Sequence, residues 1–264
     1  MQNTDSFISL DKAKTGLFIF FASFLTLLFL LPLSGCSKGK KKMDLSDYEL
    51  LTFGEKDMSK ERYAKARESF QRIIDEYPDS ELRKEALLRL GDSYYNNEDY
   101  EEAKIEYTKY LEMFPATPMA AKAQYYLAMS SFMMVRNPER DQTATRQALK
   151  EFDKVIKKYP GSEFAKKAAE KMQVCNLWLA QGDFNIAMFY YKQKAYQSAI
   201  WRFSNLLKKG AGLPFYDKVI FYMGNSYYEV QDYEKASDLY RKLLSSYPNS
   251  PLAPQAQKRL RSSR

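Results

Sequence analysis

Leu90-Gly91-Asp92-Ser93-Tyr94-Tyr95 returns later in the chain as Met223-Gly224-Asn225-Ser226-Tyr227-Tyr228. Each copy leads through a short turn into a second segment: Asp99-Tyr100-Glu101-Glu102-Ala103 in one case, Asp232-Tyr233-Glu234-Lys235-Ala236 in the other. A weaker third copy reads Leu127-Ala128-Met129-Ser130-Ser131-Phe132. Self-similarity of this kind marks stacked supersecondary units, and it outranks local propensity in deciding the fold.

The second segment recurs five times. Its pattern is Tyr, Ala three later, an aromatic four beyond, an aliphatic four further, then aromatic-Pro. It reads Tyr63, Ala66, Phe70, Ile74, Tyr77-Pro78, and again Tyr100, Ala103, Tyr107, Leu111, Phe114-Pro115. The third copy keeps Ala148, Phe152, Ile156 and Tyr159-Pro160. The fourth has Tyr196, Ala199, Phe203 and Leu207 but no Pro, and the fifth is Tyr233, Ala236, Tyr240, Leu244, Tyr247-Pro248. Steps of three and four gather these side chains on one helix face. Proline stops each helix because it cannot continue the hydrogen-bond ladder. Asp79-Ser80, Gly161-Ser162 and Asn249-Ser250 follow as turn residues and expected N-caps. Tyr63 and Tyr100 stand 37 residues apart, near the tetratricopeptide period of about 34. Leu90, Gly91, Tyr94, Ala103, Tyr107 and Pro115 match the consensus of those repeats.

The expected fold class is therefore all-α: a tetratricopeptide-like helical solenoid of about five hairpins and a C-terminal capping helix, which covers the open apolar end. Helices are predicted at 46–58, 62–77, 81–97, 100–114, 118–135, 143–159, 162–193, 196–209, 215–230, 233–247 and 252–262. Two places are irregular. Asn137 to Thr143 is an inserted loop, and the stretch 164–193 is one long helix unless Gly182-Asp183, which looks like a repeat turn, breaks it.

Ahead of the repeats lies the only long apolar run. Lys12 and Lys14 precede Leu17 to Leu33, which ends Leu33-Ser34-Gly35-Cys36. A positive start, an apolar stretch and small residues before a cut are the parts of an export signal. The ending resembles a bacterial lipobox, in which Cys36 would carry covalent S-diacylglycerol and N-acyl lipid. The expected organisation is a lipoprotein signal peptide at 1–35, a lysine-rich tether at 36–44 and a solenoid at 45–264. The competing reading is a retained transmembrane helix, which Lys38, Lys40, Lys41 and Lys42 favour because positive flanks resist translocation.

Composition narrows the chemistry. The chain has 264 residues and a net charge of +8, four of whose lysines sit in the tether. The body mixes both signs, so no nucleic-acid face is expected. There is no histidine, the commonest general base and metal ligand. Besides Cys36 the other cysteine is Cys175, spaced with Met172 and Trp178 or Leu179 as a buried thiol. No zinc spacing, phosphate loop or nucleophile elbow is present. No cofactor, metal or catalytic residue is expected.

A lipobox, about five repeats, Arg140-Asp141-Gln142-Thr143, Tyr159-Pro160-Gly161-Ser162, and the run from Ala187 through Tyr190-Tyr191 to Ala195-Tyr196 together resemble the BamD family. These are lipoprotein subunits of the outer-membrane β-barrel assembly machine. Two features depart from the family: no Pro near Lys209-Gly210-Ala211, and four lysines in the tether. The resemblance implies a non-catalytic scaffold on the periplasmic face of the outer membrane. It would dock on the periplasmic domains of the BamA-type insertase, receive unfolded outer-membrane proteins and meet other assembly lipoproteins. Ser37 resembles the residue after the lipid cysteine in lipoproteins sent to the outer membrane. The family's insertase contact resembles a surface that here includes Arg202.

In tetratricopeptide repeats the peptide groove is lined from the first helix, three before, one after and four after the small residue. Those positions are Leu88, Asp92 and Tyr95, then Tyr125, Met129 and Phe132. Such aromatic and Met side chains suit varied peptides, and they equally suit packing between repeats. Other functions compatible with the chain are a different periplasmic repeat adaptor, such as a Tol–Pal-associated coordinator, and an enzyme using paired carboxylates such as Glu101-Glu102. Cys36 and the Arg140–Thr143 loop argue against the first. The Lys-paired, exposed helix face argues against the second.

Overall fold

The computed structural model describes residues 44–135, 137, 141–210 and 212–262. The expected signal peptide, Cys36 with its lipid and nearly all of the tether lie outside the described residues, as does Arg140. The repeats form one compact unit, Leu45–Arg264. Among its described residues every regular element is a helix: α1 (Asp47–Met58), α2 (Tyr63–Glu76), α3 (Arg83–Asn96), α4 (Tyr100–Met113), α5 (Ala120–Met133), α6 (Thr143–Lys158), α7 (Glu163–Lys192), α8 (Tyr196–Lys208), α9 (Tyr216–Glu229), α10 (Tyr233–Ser246) and α11 (Ala253–Ser262). Each helix packs on the next in chain order, giving five antiparallel hairpins and a last helix laid on α10. The predicted boundaries hold to within two residues.

One contact explains the hairpins. A small residue on the first helix faces an aromatic ring 16 positions later on the second: Gly54 on Phe70, Gly91 on Tyr107, Gly224 on Tyr240. Ala187 and Phe203 repeat the spacing in the fourth hairpin and share its core. These rings are fully buried. A Cβ on Gly91 would stand 2.8 Å from Cε1 of Tyr107. Two of the tyrosine hydroxyls are satisfied beside the glycine: Tyr107 donates to Asp92 at 2.8 Å and Tyr240 to Asn225 at 2.7 Å.

The turns repeat as closely. Tyr77, Phe114, Tyr159 and Tyr247, each before a proline, share φ near −130° and ψ between 51° and 61°, outside the α region that a following Pro disfavours. Ser162 caps α7 as expected, accepting from the Ala165 N–H at 3.1 Å. Ser80 and Ser250 do something else. A further turn delays α3 and α11, and the two hydroxyls donate to Asp47 and Asp217, both at 2.5 Å, 33 residues back. They tie a helix start to the preceding hairpin instead of capping.

Within four hairpins the turn places a non-glycine residue at positive φ: Glu61 (56°), Glu98 (63°), Lys194 (59°) and Gln231 (65°). The bonds Asp99 N–H to Tyr94 O and Glu98 N–H to Tyr95 O, both 3.0 Å, form a Schellman motif, whose left-handed position favours glycine. Glu98 is exposed. Glu98→Gly is expected to relieve the left-handed strain by more than it loosens the unfolded chain, stabilising by about 0.5–1 kcal/mol. That raises the melting temperature by roughly 1–4 °C; a lower melting temperature would contradict it.

α7 runs unbroken from Glu163 to Lys192. Gly182 does not turn the chain. The Gln142 amide lies against it, where a Cβ would sit, and donates to the carbonyls of Trp178 (3.2 Å) and Leu179 (3.3 Å). The end of the inserted loop thus packs on the middle of the long helix. Two core clusters meet there, one extending to Cys175 and the other starting from Leu177 and Ala180. At the missing proline, α8 ends at Lys208 and the chain turns at Gly210, with φ 96°.

Candidate functional site

The expected groove residues lie on the first helices of the second and third hairpins. Leu88 (4% exposed) joins a core cluster with Leu87, Ala103 and Tyr107. Tyr125 (8%) and Met129 (9%) are buried with Phe152, Ala168 and Cys175. Tyr125 rings meet Phe152 at 5.8 Å and Phe164 at 5.5 Å. Stacking of the next repeat covers most of these three side chains, leaving them little surface to offer a ligand. Tyr95 and Phe132 stay half-buried. Tyr95 packs edge-on against Tyr126 at 5.0 Å, and burial pushes its hydroxyl up to about 12. Phe132 stacks on Trp178 at 4.8 Å and 18°, with the Lys171 ammonium 5.1 Å from its ring. Lys122 sits similarly 5.7 Å from the ring of Tyr126. Two aromatic pairs thus form, Tyr95–Tyr126 between α3 and α5 and Phe132–Trp178 between α5 and α7, each with a lysine over one ring.

Asp92, also a groove position, is nearly buried and works as a hub. It accepts from Tyr107 at 2.8 Å and Lys122 at 2.6 Å, and Arg89 lies 3.4 Å away. Arg89 also meets Glu55 at 2.6 Å. One network therefore crosses α1, α3, α4 and α5. Burial and the adjacent Asp92 charge hold the Tyr107 hydroxyl well above the usual phenol range.

A second surface forms where α7 and α8 meet. Trp201 is 58% exposed and Phe189 57%, with Ile186 also exposed. Arg202 lies between two rings: its guanidinium carbon is 4.8 Å from Trp201 and 6.0 Å from Tyr190. Among the described residues no carboxylate lies within 4.0 Å of it. A guanidinium held by aromatic faces, with its fork open, is arranged to meet a carboxylate from outside.

Asp141 fixes its own loop. Its carboxylate accepts from the Thr143 N–H at 2.9 Å, and that bond keeps its pKa below the usual range. Cys175 is fully buried, and burial raises its thiol to about 11, the reverse of an activated nucleophile. Among the described residues there is no His/Cys/Asp/Glu cluster able to hold a metal and no helix long and apolar enough to cross a membrane.

The model of the family described as YfiO, outer membrane lipoprotein, matches residues 43–239. The chain belongs to that family. It is similar to the outer membrane protein assembly factor BamD of Rickettsia prowazekii, with 28% identity over 83% of this chain and 88% of that one. BamD of Caulobacter vibrioides is 29% identical over 67% of this chain and 59% of its own length. A solved structure, the TPR2AB-domain:pHSP90 complex of yeast Sti1, aligns over 82% of each chain with 12% identity and a TM-score of 0.46.

In this YfiO-family chain, sequence reasoning named Arg202 and missed its setting. Trp201 and Phe189 fall outside the repeat pattern and are large apolar residues on a mostly polar helix face, which is the signal that could have found them. In the sequence Trp178 reads only as a neighbour of Cys175; its stacking on Phe132 joins residues 46 positions apart.

Proposed function

We propose that this lipoprotein-family solenoid is a non-catalytic scaffold of outer-membrane β-barrel assembly. It is anchored by lipid on Cys36 at the periplasmic face of the outer membrane. It docks on the periplasmic domains of a BamA-type insertase through Arg202, Trp201 and Phe189, and receives unfolded outer-membrane proteins on the face holding Tyr95, Phe132 and Trp178. The family match across residues 43–239 carries this reading. The shared name of the relatives, outer membrane protein assembly factor, supports it, and nothing favours a Tol–Pal coordinator. An aromatic and Arg cluster is the usual make-up of an interface hot spot.

Affinity purification from detergent-solubilised envelopes tests it. A large β-barrel protein with periplasmic repeats should co-purify. The pair Trp201→Ala with Arg202→Glu should reduce its recovery about tenfold or more, as loss of a hot spot does. Recovery of Tol–Pal components in its place would refute the scaffold reading. Undiminished recovery with the variant would remove Arg202 from the interface.

A further inference from the structure

We propose that the outward face of α6 is a second membrane contact, a ridge of cations that lies on anionic phospholipid headgroups. This rests on the membrane-surface placement read above for Cys36. Arg146, Lys150, Lys154, Lys157 and Lys158 all stand on α6. At about 100° per residue they fall within one sector of about 120°, and the ridge from Arg146 to Lys158 runs about 18 Å. The buried residues Ala148, Phe152 and Val155 occupy the opposite side of the helix.

The fold does not require this ridge. The second helices of the five hairpins align on Ala66, Ala103, Ala148, Ala199 and Ala236. At the five positions matching the ridge, α2 places Glu68, Asp75 and Glu76, α4 places Glu101 and Glu112, and α10 places Glu234 and Asp238. The α8 segment has two lysines there and no acid. In α6 every one of the five is a cation. Core packing is common to all five helices, so it does not set this charge.

Much of the charge is also left open. Lys154 pairs with Glu151 at 2.8 Å and Lys157 with Asp153 at 2.7 Å. Lys150 and Lys158 are exposed, and among the described residues no carboxylate lies within 4.0 Å of either. Arg146 donates to the Gln142 side-chain oxygen at 3.0 Å. The sector carries no exposed large apolar side chain. The centre of a protein interface is rich in aromatic residues and poor in Lys. Four lysines and no ring suit a phosphate-bearing surface instead, which attracts each cation near it and needs no matching shape.

The test is sedimentation of residues 37–264, which hold the whole compact unit and carry no lipid, with vesicles of phosphatidylcholine alone or with about 30% phosphatidylglycerol. Binding should need the anionic lipid and fade in about 0.5 M salt. Lys150→Gln with Lys158→Gln should weaken it about tenfold or more. Lys60→Gln with Lys65→Gln removes the same charge from exposed lysines of the first hairpin and should change it by less than about twofold. Both variants should melt with the parent, since these side chains are exposed. The tether lysines are present in every protein compared, so the difference between the two variants reports α6. No binding to the anionic vesicles, or equal loss in both variants, would overturn the surface. Undiminished vesicle binding by the α6 variant, with less of an acidic protein recovered with it from envelopes, would replace the lipid by a protein. Palmitate labelling of Cys36 is read separately, so a missing anchor and a failed α6 surface are told apart.

Discussion

Gly91→Ala should lower the melting temperature by about 5–10 °C, although alanine is the better helix former. The added Cβ would stand 2.8 and 2.9 Å from two ring atoms of Tyr107, closer than packed carbons approach. The ring is fully buried and cannot step aside cheaply. Its hydroxyl is bonded to Asp92, the residue after the glycine, so moving the ring away from Gly91 breaks that bond. Overpacking costs roughly 1–3 kcal/mol and an unmet buried polar group another 1–3. Against these stands a helix-propensity gain of about 1 kcal/mol. The net loss is about 1–5 kcal/mol, centred near 3, which in a domain of this size is about 5–10 °C. Gly161→Ala, with nothing within 4 Å of the new atom, is the control and should shift stability by less than about 0.5 kcal/mol. Tyr107→Phe combined with Gly91→Ala should cost less than the sum of the two, because the untethered ring can slide; additive costs would mean the hydroxyl does not hold the ring. A Gly91→Ala protein melting with the parent would refute the account of the hairpin contact.

The same contact shows what the sequence makes legible. A glycine, a ring 16 residues later and an aromatic-Pro stop all lie within one hairpin, so local pattern suffices to find the helices and their ends. Gly54 is not legible by the same pattern because Thr52-Phe53-Gly54-Glu55 lacks the Ser-Tyr-Tyr that follows Gly91 and Gly224, yet Phe70 packs on it as Tyr107 does on Gly91. The groove was less legible. Leu88, Tyr125 and Met129 hold the right register, and register alone does not tell whether the next repeat covers them. That depends on how α4 to α7 stack, with Phe152, Phe164 and Ala168 closing over α5. The one long helix expected over 164–193 is the one found, unbroken as α7. Gly182-Asp183 reads as a turn locally, and the Gln142 amide that packs on the unbroken helix there comes from 40 residues away. The cation–aromatic setting of Arg202 draws Tyr190 from one helix and Trp201 from the next.

Exchanging residues 1–36 for a cleavable export signal without a lipid cysteine should move the protein almost wholly from the membrane to the soluble fraction of a cell lysate, with the helical content of its solenoid unchanged. The proposed anchor is the reason. Each buried methylene contributes about 0.8 kcal/mol; one myristoyl chain holds only reversibly, and two chains already hold stably. Three acyl chains on Cys36 would therefore dominate attachment. The described helices offer no replacement, since none among them can span a bilayer. Proximity compounds the effect, because the solenoid begins at about Leu45. Nine residues beyond Cys36 reach at most about 30 Å, so the proposed anchor would keep the repeats concentrated at the membrane surface where an insertase would stand, and release would dilute them away from it. Radioactive palmitate should label the parent protein and not Cys36→Ala. The mass of the mature chain separates the anchor from a retained transmembrane helix: a lipoprotein starts at lipid-bearing Cys36, whereas a retained helix keeps Leu17 to Leu33. An unlabelled parent whose mature mass includes Leu17 to Leu33 would mean that the run itself spans the membrane and that Lys38, Lys40, Lys41 and Lys42 hold the solenoid on the cytoplasmic side.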